Sequence, residues 1–148
     1  MKGEKIMNNM SNLYRQVIME HYKSPRNKGL TGSGKQNHLR NPSCGDDITV
    51  EVEIENNKIK HVHHDGAGCS ICCSSASVMS EVLTGKDVDE AKSIINDYCN
   101  MIKGEEVLNE DALEEALVYQ GVAAFPARMK CATIAWKAVE ELLGDEDE

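Results

Sequence analysis

Residues 46–64 have the sequence DDITVEVEIENNKIKHVHH, which is the chain's plainest β-strand pattern. From Asp47 to Glu55 apolar residues alternate with Thr or Glu, and this alternation predicts a strand with one buried face. Asn56-Asn57 predicts a tight reversal, because asparagine tolerates positive φ, into a second strand that begins at Lys58. We therefore expect a β-hairpin over residues 47–64. The polar residues expected on its solvated faces are Glu51, Glu53, Glu55, His61, His63 and His64, with Asp65 given the same interpretation.

Helical periodicity predicts the segments on either side of this hairpin. A first helix is expected from an N-cap at Ser11 to Ser24-Pro25, followed by loop or irregular extended chain over residues 26–40. A hairpin followed by a run of helices is typical of an α+β fold, here a small antiparallel sheet with helices layered on one face. We expect a single domain over residues 1–148, ordered over about 11–143, with residues 1–10 and 145–148 flexible. The later helices are expected to open at Cys69, Asp87, Asn109 and Pro126 and to end near Gly85, Gly104, Tyr119 and Leu143.

Length, cysteine content and charge limit the cellular compartment and the kinds of partner that we expect. A chain of 148 residues can bury about 70% of its unfolded surface, so it does not need disulfides. The first ten residues contain no apolar run of the kind found in a signal peptide. We therefore expect a cytoplasmic protein whose six cysteines serve metal binding or catalysis rather than cross-links.

No charge-free stretch approaches the ~20 apolar residues of a membrane span. A net charge of −9 argues against nucleic acid as a partner.

Three cysteines stand in contexts that suit a metal ligand or a reactive thiol. Cys44 lies in the turn sequence NPSCGD, with Asp46 shortly after it. Cys69 follows two glycines and opens a helix, whose partial positive charge favours the thiolate. Cys131 lies in the second turn of the last predicted helix. Three thiolates and a carboxylate would suit Zn²⁺, and the same thiolates would also accept iron in a cluster.

The other three cysteines have plainer interpretations. Cys99, in the middle of a helix beside Tyr98, is expected to be a small buried hydrophobic residue. Cys69-Ser-Ile-Cys72 has the spacing of a redox motif, but the βαβ pattern of a thioredoxin-like fold does not surround it. Cys72 and Cys73 are expected to pack against the sheet, although they could also supply a spare resolving thiol or a spare ligand.

Four motifs, taken in order, resemble the U-type iron–sulfur cluster assembly proteins, the family of IscU, SufU and the N-terminal domain of NifU. The motifs are NPSCGD (41–46), GAGCS (66–70), SSAS (74–77) and FPARMKCATIAWKA (125–138), and the resemblance extends from about Ser11 to Leu143. In the IscU scaffold branch a histidine immediately precedes the third cysteine, where this chain has Lys130. The longer segment between the second and third cysteines, including residues 104–120, and the FPAR sequence are typical of the SufU branch.

The resemblance to the SufU branch implies a zinc ion held by Cys44, Asp46, Cys69 and Cys131. It also implies a zinc-dependent sulfurtransferase that accepts persulfide sulfur from a SufS-type cysteine desulfurase and works with other Suf assembly proteins. In that mechanism a desulfurase histidine takes over a zinc position and releases the Cys44 thiolate, the catalytic nucleophile, to attack the persulfide. Arg128 would either offset the negative charge of the site or contact the desulfurase.

Two other functions stay open at the level of sequence. The same cysteines could assemble a transient [2Fe–2S] cluster, with Cys72 or Cys73 as a substitute ligand. Alternatively, zinc could serve only to hold the fold together, in which case removing it should unfold the chain. The apolar content of 41% is enough for a core without metal, so we expect a folded apo protein.

Overall fold

The computed structural model describes the backbone of residues 2–146 and the side chains of residues 12–144. The architecture is α+β, as predicted. None of the described helices has the length and hydropathy that crossing a membrane requires. The elements, in chain order, are α1 (Lys2–Lys23), β1 (Lys35–Asn41), β2 (Asp46–Glu55), β3 (Lys58–Ala67), α2 (Ser70–Leu83), α3 (Val88–Lys103), a 3₁₀ segment (Glu110–Ala124) and α4 (Pro126–Glu146).

The predicted hairpin, β2 and β3, belongs to a three-stranded antiparallel sheet of order β1-β2-β3. Asn56 and Asn57 make its turn with φ of 53° and 63°. Two consecutive positive φ values are those of a type I′ turn, whose twist matches that of the paired strands. The prediction of the hairpin is therefore confirmed. Its buried apolar residues are Ile48, Val50, Val52, Ile59 and Val62.

Strand β1 corrects the expectation of loop or irregular extended chain over residues 26–40, because its residues form a regular paired strand. It pairs antiparallel with β2 along its whole length. Its sequence, KQNHLRN, has a single buried residue, Asn41, so it lacks the apolar alternation by which a strand is recognised. Pairing with β2 supplies its hydrogen bonds, and the Asn37 side-chain amide donates to the Ala138 carbonyl of α4 at 3.0 Å. The strand is thus stabilised by its neighbours rather than by its own pattern.

Helices cover one face of the sheet, as predicted. α4 packs on β1 and β2, α2 packs on β3, and the remaining helical elements pack on these two helices. In the core, Trp136 of α4 stacks on Tyr98 of α3 with ring centroids 3.9 Å apart. Ser75 of α2 accepts a hydrogen bond from Trp136 Nε1 at 2.9 Å and donates one to the Ala132 carbonyl at 2.7 Å. This network fixes α2 against α4, and each of these helices carries a predicted ligand at its N-terminal end.

Most helix boundaries lie where the sequence places them. Cys69 is the N-cap of α2, Asp87 is the N-cap of α3, and α4 begins at Pro126. Gly104 ends α3 in the left-handed conformation, with φ of 79°. Glycine is suited to this position because it has no Cβ to oppose a positive φ.

The expected helix over Asn109–Tyr119 is instead a 3₁₀ segment that continues to Ala124 and is kinked at Glu114, where φ is 49°. The 3₁₀ helix has three residues per turn, and the buried residues of this segment recur mostly at that interval. A spacing of three therefore favours the tighter helix over the α-helix. Those at the interval of three are Leu113, Ala116, Tyr119 and Val122.

The first helix is longer than expected. α1 begins at Lys2, so Ser11 lies within it rather than at its N-cap. Serine is tolerated inside helices as well as at caps, which makes a lone serine a weak boundary signal. The flexibility expected for residues 1–10 stays a prediction. At the other end α4 continues to Glu146, and residues 147 and 148 lie outside the described residues.

Glu51 does not lie on a solvated face, because the chain before β1 folds over it. It is 2% exposed. Its Oε1 accepts hydrogen bonds from the backbone N–H groups of Thr31 at 3.0 Å and Gly32 at 2.9 Å, and from Gln36 Nε2 at 3.0 Å. Burial by itself raises the pKa of Glu51, but these bonds and one from the Thr31 hydroxyl lower it to about 2. Glu51 is therefore an ionised anchor for the loop.

His64 is also buried, at 3% exposure, where the chain after α1 crosses β3. Its Nε2 bonds to the Arg26 carbonyl at 2.8 Å, and the Gly29 N–H donates to the His64 carbonyl at 2.7 Å. Burial lowers the pKa of His64 and favours the neutral imidazole. His61, by contrast, is exposed on the solvated face, as predicted.

Candidate metal centre

Cys44, Asp46 and Cys131 meet at one end of the sheet. Cys44 lies in the turn between β1 and β2, Asp46 is the first residue of β2, and Cys131 lies in the second turn of α4. One donor atom from each, two sulfurs and a carboxylate oxygen, lie within 4.8 Å of one another. Asp46 and Cys131 are buried, whereas Cys44 is partly exposed. The structure thus brings three of the four predicted ligands together.

Cys69, the fourth predicted ligand, joins this group from the N-terminus of α2. Its backbone N–H donates to Asp46 Oδ1 at 3.1 Å. Its thiol is also among the neighbouring groups that raise the pKa of Cys131. Cys69 lies outside the set of donors that are all within 4.8 Å of one another, so it borders the group rather than completing it.

The thiols of the centre shift the pKa values of one another and of Arg128. Burial raises the pKa of Cys131, and hydrogen bonds with Asp46, Cys44 and Cys69 raise it further. A hydrogen bond with Cys131, and then the charges of Cys69, Cys131 and Cys44, raise the pKa of Arg128. The guanidinium of Arg128, one turn before Cys131 on α4, therefore faces the centre and can offset its negative charge.

Asn41 and Gly68 position Asp46, and sequence analysis did not single out either role. Asn41 is 5% exposed, and its Nδ2 donates to Asp46 Oδ2 at 3.2 Å and to Cys131 Sγ at 3.8 Å. A Cβ at Gly68 would lie 2.6 Å from Asp46 Oδ1, so only glycine lets the backbone approach this closely. Both residues stand inside the quoted motifs, but the contacts of Asn41 with Cys131 and of Gly68 with Asp46 join parts of the chain that are far apart in sequence.

The remaining cysteines lie beside or away from the centre. Cys72 is fully buried, as expected for packing against the sheet. Cys73 donates from its sulfur to the Gly68 carbonyl at 3.5 Å. A hydrogen bond with Cys73 raises the pKa of Cys72, while the same bond lowers that of Cys73 to about 7. Cys99 packs in the core at 8% exposure, as predicted. Cys72 and Cys73 are outside the group of converging donors, and a ligand role for them stays open.

The donor set of the centre fits a zinc ion. Thiolates with one carboxylate are ligand types that Zn²⁺ accepts in four-coordinate sites. A carboxylate has about four lone-pair positions, and Asp46 uses one on each oxygen for the bonds from Cys69 and Asn41. Positions therefore remain on Asp46 for a metal. Cys44, Asp46, Cys69 and Cys131 are the residues that would hold it.

The chain is similar to named proteins over almost its whole length. It is 40% identical over 139 residues to the zinc-dependent sulfurtransferase SufU of Bacillus subtilis (strain 168), which covers 94% of this chain and 95% of that one. It is 34% identical over 137 residues to the iron–sulfur cluster assembly scaffold protein IscU of Streptococcus pyogenes serotype M1, which covers 93% of this chain and 86% of that one. Among solved structures, a candidate iron–sulfur cluster assembly scaffold protein for the SUF system from Fervidobacterium islandicum AW-1 superposes with a TM-score of 0.79 at 32% identity, covering 86% of this chain and 93% of that one.

The family comparison agrees with these relatives. The NifU-like N-terminal domain matches residues 13–140, a range that includes all four predicted ligands. Since the match takes in the sheet, α2, α3 and most of α4, it describes the fold and the converging cysteines together. This protein therefore belongs to the NifU-like N-terminal domain family.

Proposed function

We propose that this protein is a zinc-dependent sulfurtransferase of iron–sulfur cluster assembly, in which Cys44 accepts the sulfur. The donor is the persulfide of a SufS-type cysteine desulfurase, which the protein meets in the cytoplasm alongside other Suf assembly proteins. Cys44, Asp46, Cys69 and Cys131 hold the zinc ion. The similarity to a relative named as a zinc-dependent sulfurtransferase, at 40% identity, supports this function.

The observation that carries the proposal is the difference in exposure among the converging ligands. The donor atoms of Cys44, Asp46 and Cys131 lie within 4.8 Å of one another. Asp46 and Cys131 are 2% and 0% exposed, whereas Cys44 lies on a turn and reaches the surface. A persulfide on a partner protein can therefore approach Cys44 without entering the core. This suits Cys44 to accept sulfur while the buried ligands stay in place.

The sulfur transfer needs a thiolate. Zinc, when bound, would keep the coordinating thiols ionised at neutral pH. The thiolate of Cys44 attacks the outer sulfur of the donor persulfide, the donor's S–S bond breaks, and the desulfurase thiolate leaves. Cys44 then carries the persulfide, and the electrons balance without an external oxidant. Cys131 is 0% exposed, so a persulfide on a partner protein does not reach it, which disfavours Cys131 as the attacking group.

Desulfurase turnover in the presence of wild type, C44A and C99A tests the role of Cys44. Wild type should stimulate the desulfurase and gain a persulfide that mass spectrometry of the intact protein detects, whereas C44A should do neither. C99A is the matched control, because Cys99 is 8% exposed in α3 and is not among the converging donors. Undiminished stimulation by C44A would remove the acceptor role.

A scaffold that assembles a [2Fe–2S] cluster on the same cysteines is the second candidate. The relative named as an IscU scaffold, at 34% identity, favours it. Lys130, which is exposed, stands where the scaffold branch has a histidine, and this weighs against it. Anaerobic reconstitution that gives no charge-transfer absorption in wild type or D46A would exclude the scaffold. Elemental analysis adds a second criterion, since one zinc per chain supports the sulfurtransferase, and iron with acid-labile sulfide supports the scaffold.

A further inference from the structure

His21, Glu81 and Glu115 form a second group of metal-ligand side chains, which the proposed sulfur chemistry does not use. Three separate elements supply them, α1, α2 and the 3₁₀ segment. One donor atom from each lies within 4.8 Å of the others. Glu81 follows Cys69 by twelve residues along α2, so at 1.5 Å per residue it lies about 18 Å from the cysteine centre. The two groups are therefore separate in space.

The imidazole of His21 is the buried member of this second group, and a hydrogen bond holds its orientation. His21 is 1% exposed, and its Nδ1 lies 2.8 Å from the Ser77 hydroxyl. Its Nε2 faces the two carboxylates, at 3.3 Å from Glu115 Oε2 and 3.7 Å from Glu81 Oε1. Histidines that bind metals are ordinarily held in this way, with one nitrogen on the metal and the other in a hydrogen bond that sets the ring's orientation.

The spacing of the donor atoms suits a metal ion. Ligand atoms about 2.1 Å from a metal lie roughly 3.0–3.4 Å apart in octahedral or tetrahedral geometry. The side chains of Glu81 and Glu115 are 44% and 56% exposed, so small rotations can bring their oxygens to these separations. Both residues line an open cavity of about 210 Å³ together with Val78, Val82 and Glu114. This cavity has room for the water molecules that would complete the coordination.

The local charge favours a cation. Glu81 and Glu115 bring two negative charges to one point beside the ring of His21, and the neighbouring cations are engaged mainly with other carboxylates. A divalent ion would neutralise the pair. Among the neighbouring cations, Arg26 lies 2.7 Å from Glu20 and 3.8 Å from Glu81, and Lys86 lies 3.8 Å from Glu114.

We propose that His21, Glu81 and Glu115 bind a divalent first-row transition-metal ion through Nε2 and two carboxylate groups, separately from the cysteine centre. One imidazole and two carboxylates are harder ligands than thiolates, so this second site accepts Fe²⁺, Co²⁺ or Mn²⁺ while the cysteines retain zinc. A bound ion would also join α1 to α2 and to the 3₁₀ segment, and so would stabilise their packing.

Cobalt(II) is the probe, added to the full-length protein whose cysteine centre already holds zinc. Wild type is expected to bind one further equivalent with weak visible bands of nitrogen and oxygen ligands, without the intense thiolate-to-cobalt absorption and without release of zinc. E81Q and E115Q should each weaken this binding by about tenfold or more, because each removes a charged ligand. E114Q is the matched control from the same cavity wall and should bind cobalt as wild type does.

Thermal melting gives a second readout. Added cobalt should raise the Tm of wild type and E114Q but not that of E115Q, and all the substituted side chains are exposed, so the variants should fold. The proposal is overturned if no further equivalent of cobalt binds, if cobalt enters only as zinc leaves, or if E81Q and E115Q bind cobalt as tightly as wild type.

Discussion

The substitution G68A tests how Asp46 is held at the cysteine centre. A Cβ at Gly68 would lie 2.6 Å from Asp46 Oδ1 and 3.2 Å from Cys72 Sγ. Ordinary van der Waals contact begins at 3.4 Å, so the carboxylate oxygen would have to move by about 0.8 Å, the difference between 3.4 and 2.6. The Asp46 carboxylate is therefore the group that the new methyl displaces.

Asp46 cannot move freely, because its two oxygens accept hydrogen bonds from the Cys69 N–H at 3.1 Å and from Asn41 Nδ2 at 3.2 Å. Losing a hydrogen bond to a charged group costs about 1.5–3 kcal/mol, and a forced shift in a packed interior costs about 1–3 kcal/mol. We therefore expect G68A to weaken zinc binding by about tenfold to a hundredfold, which corresponds to about 1.4–2.8 kcal/mol.

Competition with a chromophoric chelator measures the zinc affinity, and the Tm of the metal-free protein measures the packing cost separately. G144A is the matched control, because a Cβ at Gly144 meets nothing within 4 Å and its zinc affinity should be that of wild type. Wild-type zinc affinity in G68A would refute the reasoning that Asp46 is a ligand positioned by this close approach.

Three further predictions concern the loop anchor, the support of Asp46 and the metal itself. Because the pKa of Glu51 falls from 4.5 to about 2 on folding, its stabilisation is present above pH 4.5 and is lost as the pH falls from about 4.5 to 2. E51Q should therefore lower the free energy of unfolding in urea by up to about 3 kcal/mol at pH 7, with a difference from wild type that shrinks toward pH 2, whereas E53Q should change it by less than about 0.5 kcal/mol. A loss in E51Q that does not depend on pH would contradict this account. N41A should weaken zinc binding about tenfold, because it removes the donor to Asp46 Oδ2, and unchanged affinity in the chelator assay would show that this hydrogen bond is dispensable. Removal of zinc by a chelator should leave the circular dichroism spectrum and a cooperative thermal transition in place, since the core is apolar, and an unfolded apo protein would mean that zinc is structural.

Patterns that extend over only a few residues, such as alternation, turn residues and helix caps, predicted the elements in which they occur. The hairpin follows from alternating side chains and from the paired asparagines of its turn, Asn56 and Asn57. The starts of α2, α3 and α4 follow from capping residues and helical periodicity. The same local logic placed Cys69 at a helix N-terminus and Cys131 in the second turn of a helix. The order of the motifs was enough to indicate the family.

The arrangement of these residues in space was decided by contacts between distant parts of the chain. Strand β1 has no apolar alternation and forms because β2 offers it a partner. Glu51 alternates with apolar residues as an exposed residue does, yet it is buried because the chain before β1 covers it. The contact from Asn41 Nδ2 to Cys131 Sγ likewise joins residues far apart in the chain, because it forms only where the turn between β1 and β2 meets α4.

Periodicity records which side of its own element a residue occupies. It contains no information on what will pack against that side, because burial is a property of the assembled fold. Sequence by itself therefore determined the hairpin, the starts of α2, α3 and α4, the ligand types and the family of this protein. Tertiary structure alone decided that Cys44 is the partly exposed member of an otherwise buried group of predicted ligands, and that His21, Glu81 and Glu115 meet.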